Sequence, residues 1–166
     1  MPDSPAAQAF RRIIKSPLRF RLFLLRHLPM AYLAGLRVRS LGPQEAVVSI
    51  RLTYLTKNPF RSLYFACLAM AAELSTGLLA MMGVYQAQPS ISLLLTKVEG
   101  TFRKKAVGKI AFTCSDGEAI EAAIQEAKAT GAGTTVTATS TGTDEAGDQV
   151  AEFRITWAFK ARSGNK

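Results

Sequence analysis

Alternation of apolar and polar residues predicts β-strands over much of the chain. In the clearest case, segment 149–162, every second residue is apolar, and a period of two places those side chains on one face of a strand. Three earlier segments, 90–98, 104–115 and 134–143, have strand composition, and we expect a connection between the first two near Gly100. The apolar face of the last strand comprises Ala151, Phe153, Ile155, Trp157 and Phe159.

A β-hairpin is predicted closer to the N-terminus. Segments 34–41 and 45–55 are strand-like, and the turn-forming pair Gly42-Pro43 joins them. Alternation in the second segment indicates that one face is buried. The apolar residues on that face are Val48, Ile50 and Leu52.

The most apolar segment, 63–84, contains a single charged residue, Glu73. Its length is close to that needed to cross a bilayer. A carboxylate in mid-membrane is costly, however, and the flanking segments are amphipathic strands. We therefore expect a buried helix enclosed by an antiparallel sheet, in a protein of the α+β class.

Two other segments have helical patterns. Residues 116–131 place Ile120, Ala123, Ile124 and Ala127 on one face, with Ser115 or Asp116 as the N-cap and Gly131 as the terminator. Residues 17–28 carry apolar side chains at helical spacing with arginines among them, which is typical either of a helix packed on the domain or of one lying on a membrane surface. The residues of the second pattern are Leu18, Leu22 and Leu25 with Arg19, Arg21 and Arg26.

Composition narrows the range of chemistry. Hydrophobic residues at 48% and charged residues at 20% fit a folded globular protein, and the formal charge of +9 favours anionic partners. With a single histidine, His27, and two isolated cysteines, Cys67 and Cys114, neither a Ser/His/Asp triad nor a multi-histidine metal site is expected. We expect His27 at a helix end, both cysteines in the core, and neither metal nor cofactor. The start of the chain lacks a secretory signal pattern, so a cytoplasmic location is expected.

Glu73 is the first candidate for chemistry. On a helix it shares a stripe with small residues that allow a ligand or another backbone to approach closely. Partial burial raises the pKa of a carboxyl and makes it a better general base near neutrality. A structural glutamate at a subunit contact fits the pattern equally well. The other residues of the stripe are Ala66, Ala69, Met70, Gly77 and Ala80.

The entry to the long helix is the second candidate. If Ser62 is the N-cap, the amides of the residues that follow, up to Phe65, have no intrahelical partner and can stabilise an oxyanion. If Asn58 is the N-cap with Pro59 in the first position, the Phe65 amide is used inside the helix.

These features resemble the hotdog-fold thioesterase superfamily, in particular its small acyl-CoA thioesterases and an uncharacterised bacterial branch. The resemblance rests on Asn58, a short loop, a buried helix bearing Glu73 fifteen residues later, and the antiparallel strands that follow. It implies a hotdog fold, in which a sheet wraps around one long helix. Tyr64 stands where the family has a histidine, and Phe65 where a glycine donates the oxyanion amide. The resemblance also aligns Ser90 with a residue that orients the attacking water.

The resemblance implies hydrolysis of acyl-CoA or acyl-carrier-protein thioesters by a homodimer or a dimer of dimers. Glu73 would activate water, and Arg103, Lys104 and Lys105 would contact coenzyme A phosphates. A non-catalytic acyl-binding or structural homodimer is one alternative. A basic membrane-surface module, contacting the membrane through residues 17–28, is another, whereas no motif indicates specific nucleic-acid binding.

The domain organisation follows from the extent of the resemblance. We expect residues 36–162 to form the hotdog domain, residues 1–35 an N-terminal helical extension, and residues 163–166 a disordered tail.

Overall fold

The fold is an antiparallel sheet wrapped around one long helix, preceded by three short helices. The computed structural model describes residues 4–162, so the expected tail, 163–166, lies outside the described residues. The elements are α1 (Pro5–Lys15), α2 (Pro17–His27), α3 (Pro29–Leu33), β1 (Arg37–Leu41), β2 (Ala46–Arg51), α4 (Phe65–Val84), β3 (Ile91–Phe102), β4 (Lys109–Cys114), α5 (Gly117–Thr130), β5 (Thr134–Thr143) and β6 (Gln149–Ala161).

The six strands form one sheet in the order β1-β2-β4-β5-β6-β3, and every neighbouring pair is antiparallel. The predicted hairpin is confirmed, since β1 pairs with β2. The chain leaves the sheet after β2, forms α4, and returns at the far edge as β3, which pairs with β6 along its whole length. This is the α+β architecture expected from the sequence.

Helix α4 lies in the concave side of the sheet and is the centre of the core. By length and composition it could cross a membrane, but most of it is buried inside the protein. The interpretation as a core helix is therefore confirmed, with the helix starting at Phe65, two residues after the predicted start. Its buried apolar residues include Leu68, Ala71, Ala72, Leu74, Leu78, Leu79 and Ala80.

The predicted faces of β6 and α5 are confirmed. All five apolar residues of the alternating face of β6 are buried, and so are the four predicted on α5. Gly131 ends α5 in the left-handed conformation, at φ +69°. Asp116 occupies the N-cap position, but its carboxylate accepts a hydrogen bond from the Thr139 N–H of β5 at 2.6 Å, so it joins α5 to the sheet.

The expected connection near Gly100 is wrong. Gly100 pairs with Phe153 within the β3–β6 ladder, two residues before the end of β3, and the connection to β4 follows Phe102. A Cβ at Gly100 would lie 2.9 Å from Cε1 of Phe153. The glycine is therefore needed because an aromatic ring lies against the strand, rather than because the chain turns.

The three N-terminal helices each begin with a proline, which suits the first position of a helix because its missing N–H has no intrahelical acceptor. Helix α2 packs on the protein as expected, but through Phe20 and Leu24. The leucines whose spacing suggested the helix project outward on its opposite side. These are Leu18, Leu22 and Leu25.

Candidate functional site

The first turn of α4 carries an unused backbone donor. Tyr64 is the N-cap residue and Phe65 is the first helical residue, so neither expected cap, Ser62 or Asn58, occupies that position. The N–H of Tyr64 donates to the carbonyl of Thr56 at 2.8 Å. The N–H of Phe65 has no acceptor within residues 4–162. The amide identified from the sequence is therefore free at the positive end of the helix dipole.

Asn58 holds the loop that leads into α4. Its Nδ2 donates to Ser62 Oγ at 3.0 Å and to the Leu63 carbonyl at 3.2 Å, and its Oδ1 accepts the Phe60 N–H at 2.9 Å. An asparagine suits this place because one side chain supplies both donors and an acceptor to the backbone. Asn58 therefore positions the helix start through the loop.

A cavity of about 500 Å³ opens beside this helix start. It brings together residues that are distant in the sequence, because the loop after β3 lies against the loop before α4. Six of the eight candidate site residues line it, and Glu73 and Ser90 do not. The six are Asn58, Tyr64, Phe65, Arg103, Lys104 and Lys105.

The basic residues of the loop after β3 have different environments. Lys104 Nζ contacts Asp144 Oδ2 at 2.8 Å and Asp148 Oδ2 at 2.6 Å in the β5–β6 turn. These hydrogen bonds raise the pKa of Lys104 to about 12. Lys105 Nζ reaches only the carbonyl of Phe60, at 3.5 Å, and no described carboxylate contacts Arg103. The charges available to an anion in the cavity are those of Arg103 and Lys105.

Glu73 lies two turns further along α4, half-buried and outside the cavity lining. Burial raises the pKa of its carboxyl. No side chain within residues 4–162 donates a hydrogen bond to this carboxylate, whereas the neighbouring hydroxyls of Ser75 and Thr76 contact Ser140 and Trp157. At 1.5 Å per residue, Glu73 is about 12 Å along the axis from Phe65 in the same chain.

Ser90 is not brought to this cavity within one chain. It directly precedes β3, and its carbonyl accepts a hydrogen bond from the Arg162 N–H at 2.8 Å. Phe102, at the opposite end of the same long strand, is the residue that lines the cavity.

Sequence reasoning overlooked Thr56. It is fully buried, its Oγ1 donates to the Arg51 carbonyl at 2.9 Å, and its own carbonyl holds the Tyr64 N–H. Thr56 therefore holds the loop before α4 through hydrogen bonds that are separate from those of Asn58. A single threonine in a loop gives no signal in the sequence.

The described part of the chain holds no group of three His, Cys, Asp or Glu residues that could bind a metal ion. Both cysteines are free and buried, as expected, and burial raises the pKa of Cys114 to about 11. His27 is the last residue of α2, also as expected.

The raised pKa of Glu73 predicts how stability changes with pH. Because the folded protein holds this proton more tightly than the unfolded chain, its contribution to stability is complete below the ordinary pKa of 4.5 and is lost as the pH rises through the folded-state pKa. The variant Glu73→Gln cannot titrate at this position and so lacks this pH-dependent contribution to stability. The free energy of unfolding of the variant, relative to the parent, should therefore increase as the pH rises through that range in urea titrations.

Glu126→Gln removes an exposed carboxylate from α5 and is the matched control. A difference between Glu73→Gln and the parent that stays constant with pH would show that Glu73 is fully hydrated in the folded protein.

Comparison with known proteins gives a family and a set of structural neighbours. A family model described as a domain of unknown function, DUF4442, matches residues 18–159. The sequence has no significant match among curated proteins. Among solved structures, a Pseudomonas aeruginosa protein described as a probable thioesterase superposes with a TM-score of 0.74 at 23% identity, covering 89% of this chain and 97% of its own.

Two further neighbours have the same fold at lower similarity. A thioesterase from Haemophilus influenzae has a TM-score of 0.61 and 9% identity, covering 91% of this chain and 95% of its own. Zebra fish thioesterase superfamily member 2 has a TM-score of 0.56 and 18% identity, covering 92% and 94%. The expected hotdog fold, which is that of the thioesterase superfamily, is thus confirmed. The chain itself belongs to the DUF4442 family.

Proposed function

We propose that this protein hydrolyses acyl thioesters of coenzyme A or of acyl carrier protein. The main support for the proposal is the free Phe65 amide. It lies at the start of a buried helix and beside a cavity that is also lined by the basic side chains of Arg103 and Lys105. The thioesterase names of the structural neighbours support the same class of reaction.

The proposed reaction needs an oxyanion donor and a base. The Phe65 N–H, assisted by the dipole of α4, stabilises the negative charge that develops on the thioester carbonyl oxygen. Glu73 takes a proton from water as the water oxygen bonds to the carbonyl carbon. Cleavage of the carbon–sulfur bond then releases a thiolate, which recovers that proton, and the products are a carboxylic acid and a thiol.

Two chains are needed to assemble this site, because Glu73 and Phe65 of one chain are too far apart to act on one carbonyl. The face of α4 around Glu73 is only half-buried. Strand β3 beside it is an edge strand whose outer side pairs with no other strand of residues 4–162, and its Leu94 and Val98 are exposed. A second copy pairing along β3 would cover both surfaces. We propose that Glu73 of one protomer serves the Phe65 amide of its partner in a homodimer, alone or within a dimer of dimers.

The basic side chains in the cavity lining indicate where the carrier part of the substrate would bind. Arg103 and Lys105 border the cavity, and no carboxylate within residues 4–162 forms an ion pair with either of them. Phosphate groups of coenzyme A or phosphopantetheine are suitable anions for these charges. Lys104 is already engaged by two aspartates, and we propose that it anchors the loop.

A non-catalytic acyl-binding dimer is the second candidate function. Tyr64 and Phe65 form an edge-to-face pair with ring centroids 4.9 Å apart, and both rings are partly exposed at the helix start. The resemblance to small acyl-CoA thioesterases implies a histidine and a glycine at these positions. Two aromatic rings narrow the approach to the amide and provide apolar surface that suits acyl binding.

Glu73→Gln tests the base. We expect kcat for acyl-CoA hydrolysis to fall by roughly 10²–10⁴ with KM nearly unchanged, because the amide keeps the shape but cannot accept the proton. Circular dichroism and sedimentation would establish that the variant is folded and has the parent's assembly state. Unchanged turnover would mean that Glu73 is structural and would favour the acyl-binding function.

Phe65→Pro tests the oxyanion donor. Proline fits the first position of a helix, where it removes the N–H together with the phenyl ring, and Tyr64 already has the extended backbone that a following proline requires. Phe65→Ala keeps the N–H and is the matched control for loss of the ring. We expect kcat to fall by roughly 10²–10³ in the proline variant and far less in the alanine variant. Equal losses would assign the effect to the ring.

The same variants test whether the site is shared between chains. Mixing Glu73→Gln and Phe65→Pro subunits should restore about a quarter of the parent activity, because half of the dimers are mixed and each mixed dimer has one intact site. Failure of mixed dimers to recover activity would place both groups in one chain.

The basic loop is tested by Arg103→Ala and Lys105→Ala. We expect each variant to raise KM for acyl-CoA, with little change for a small thioester that lacks the nucleotide. Lys104→Ala is the comparison, since it should lower thermal stability through loss of the contact with the β5–β6 turn rather than selectively weaken acyl-CoA binding. Equal changes in KM for both substrates in the first two variants would remove the phosphate role.

A further inference from the structure

The outer surface of α2 and α3 is an exposed apolar stripe on an otherwise basic segment. Leu18, Leu22 and Leu25 are 80%, 64% and 51% exposed. They are spaced four and three residues apart, so they form one continuous ridge along α2. Met30 and Leu33 of α3, at 66% and 54%, extend the exposed apolar surface into the next helix.

This ridge is not needed for folding, because α2 is anchored through its opposite side. Phe20 and Leu24 are almost fully buried, and they alternate along the helix with the exposed leucines. Helix α3 is held against α2 by Arg21, whose guanidinium lies over the Tyr32 ring and donates to its hydroxyl at 3.1 Å. The packed side and the exposed apolar side of α2 are therefore separate.

The charge around the ridge has one sign. Residues 4–44 contain eight arginines and lysines and no aspartate or glutamate, whereas the two signs nearly balance over the rest of the chain. On α2, Arg19 and Arg26 flank one side of the ridge, Arg21 flanks the other, and all three are exposed. Apolar side chains bordered by arginines are the pattern of helices that lie in the plane of a membrane interface.

A groove beside the ridge offers room for a headgroup. A cavity of about 480 Å³ lies between α2 and β1, with Phe20 and Leu24 at its base. Its lining includes the basic side chains of Lys15, Arg21 and Arg37. An apolar base with cationic walls suits a lipid phosphate attached to a hydrocarbon chain better than it suits a soluble anion.

We infer that the α2–α3 surface docks onto an anionic phospholipid membrane, with its leucines in the interface and its arginines on headgroup phosphates. The leucines supply apolar area that enters the boundary of the acyl chains, and the basic residues respond to the negative surface potential. The occupant is an acidic lipid surface because a neutral one would leave the single sign of charge in residues 4–44 without a counterpart.

Vesicle co-sedimentation of the full chain tests the inference. We expect binding to vesicles of phosphatidylcholine with phosphatidylglycerol, weak binding to phosphatidylcholine alone, and weaker binding at high salt. Replacing Leu18, Leu22 and Leu25 together by serine should lower partitioning by roughly tenfold or more. Replacing Arg19, Arg26 and Arg37 by alanine should lower it by roughly fivefold per residue on the anionic vesicles.

Leu55→Ser is the matched control, because Leu55 is a leucine of similar exposure, at 66%, outside α2 and α3. It should bind vesicles as the parent does. Equal binding to neutral and anionic vesicles, or parent-like binding by the leucine variant, would overturn the inference. A leucine variant whose mass in solution falls while its lipid binding persists would show instead that the ridge joins two copies of the chain.

Discussion

The burial of one almost uncharged helix is the constraint on which the rest of this structure depends. Helix α4 is apolar on every side, so it is stable only when the sheet encloses it. Its buried hydroxyls are satisfied by the surroundings, Ser75 by Ser140 and Thr76 by the Trp157 indole. The Glu73 carboxylate has no hydrogen-bond donor within residues 4–162. The enclosing sheet thereby produces both the stability of the helix and the desolvated acid on it.

The fold could be predicted because its elements have local signals. Alternation in β6 and the helical face of α5 are properties of residues close together in the sequence. The faces predicted from them are the faces that are buried in the structure. The prediction at Gly100 was wrong because a glycine can mark either a turn or a close approach by another group. Its packing against Phe153 is known only once β3 is paired with β6. The leucines of α2 misled for a related reason, since helical spacing identifies a face but not what covers it.

The candidate site was predictable only where residues act through their neighbours in sequence. The free amide of Phe65 follows from its place at a helix start, although the start itself was set by tertiary contacts from Thr56 and Ala106. The proximity of Arg103 to the helix start could be expected only from the family resemblance, because no local sequence pattern indicates that those two segments are close. Lys104 looked equivalent to its neighbours until the β5–β6 turn was in place.

The contact between Lys104 and that turn means that residues outside the cavity help to position one of its walls. Asp144 and Asp148 lie outside the cavity lining, and the turn they hold is exposed at the tip of a hairpin, where substitutions and changes of length are well tolerated. A change in that hairpin would act on the basic loop through Lys104 and would reach the helix start through Ala106, whose carbonyl accepts the Leu63 N–H at 2.8 Å. Under the proposed function, relatives of this chain could therefore differ in the carrier they accept through a turn that lies outside the cavity.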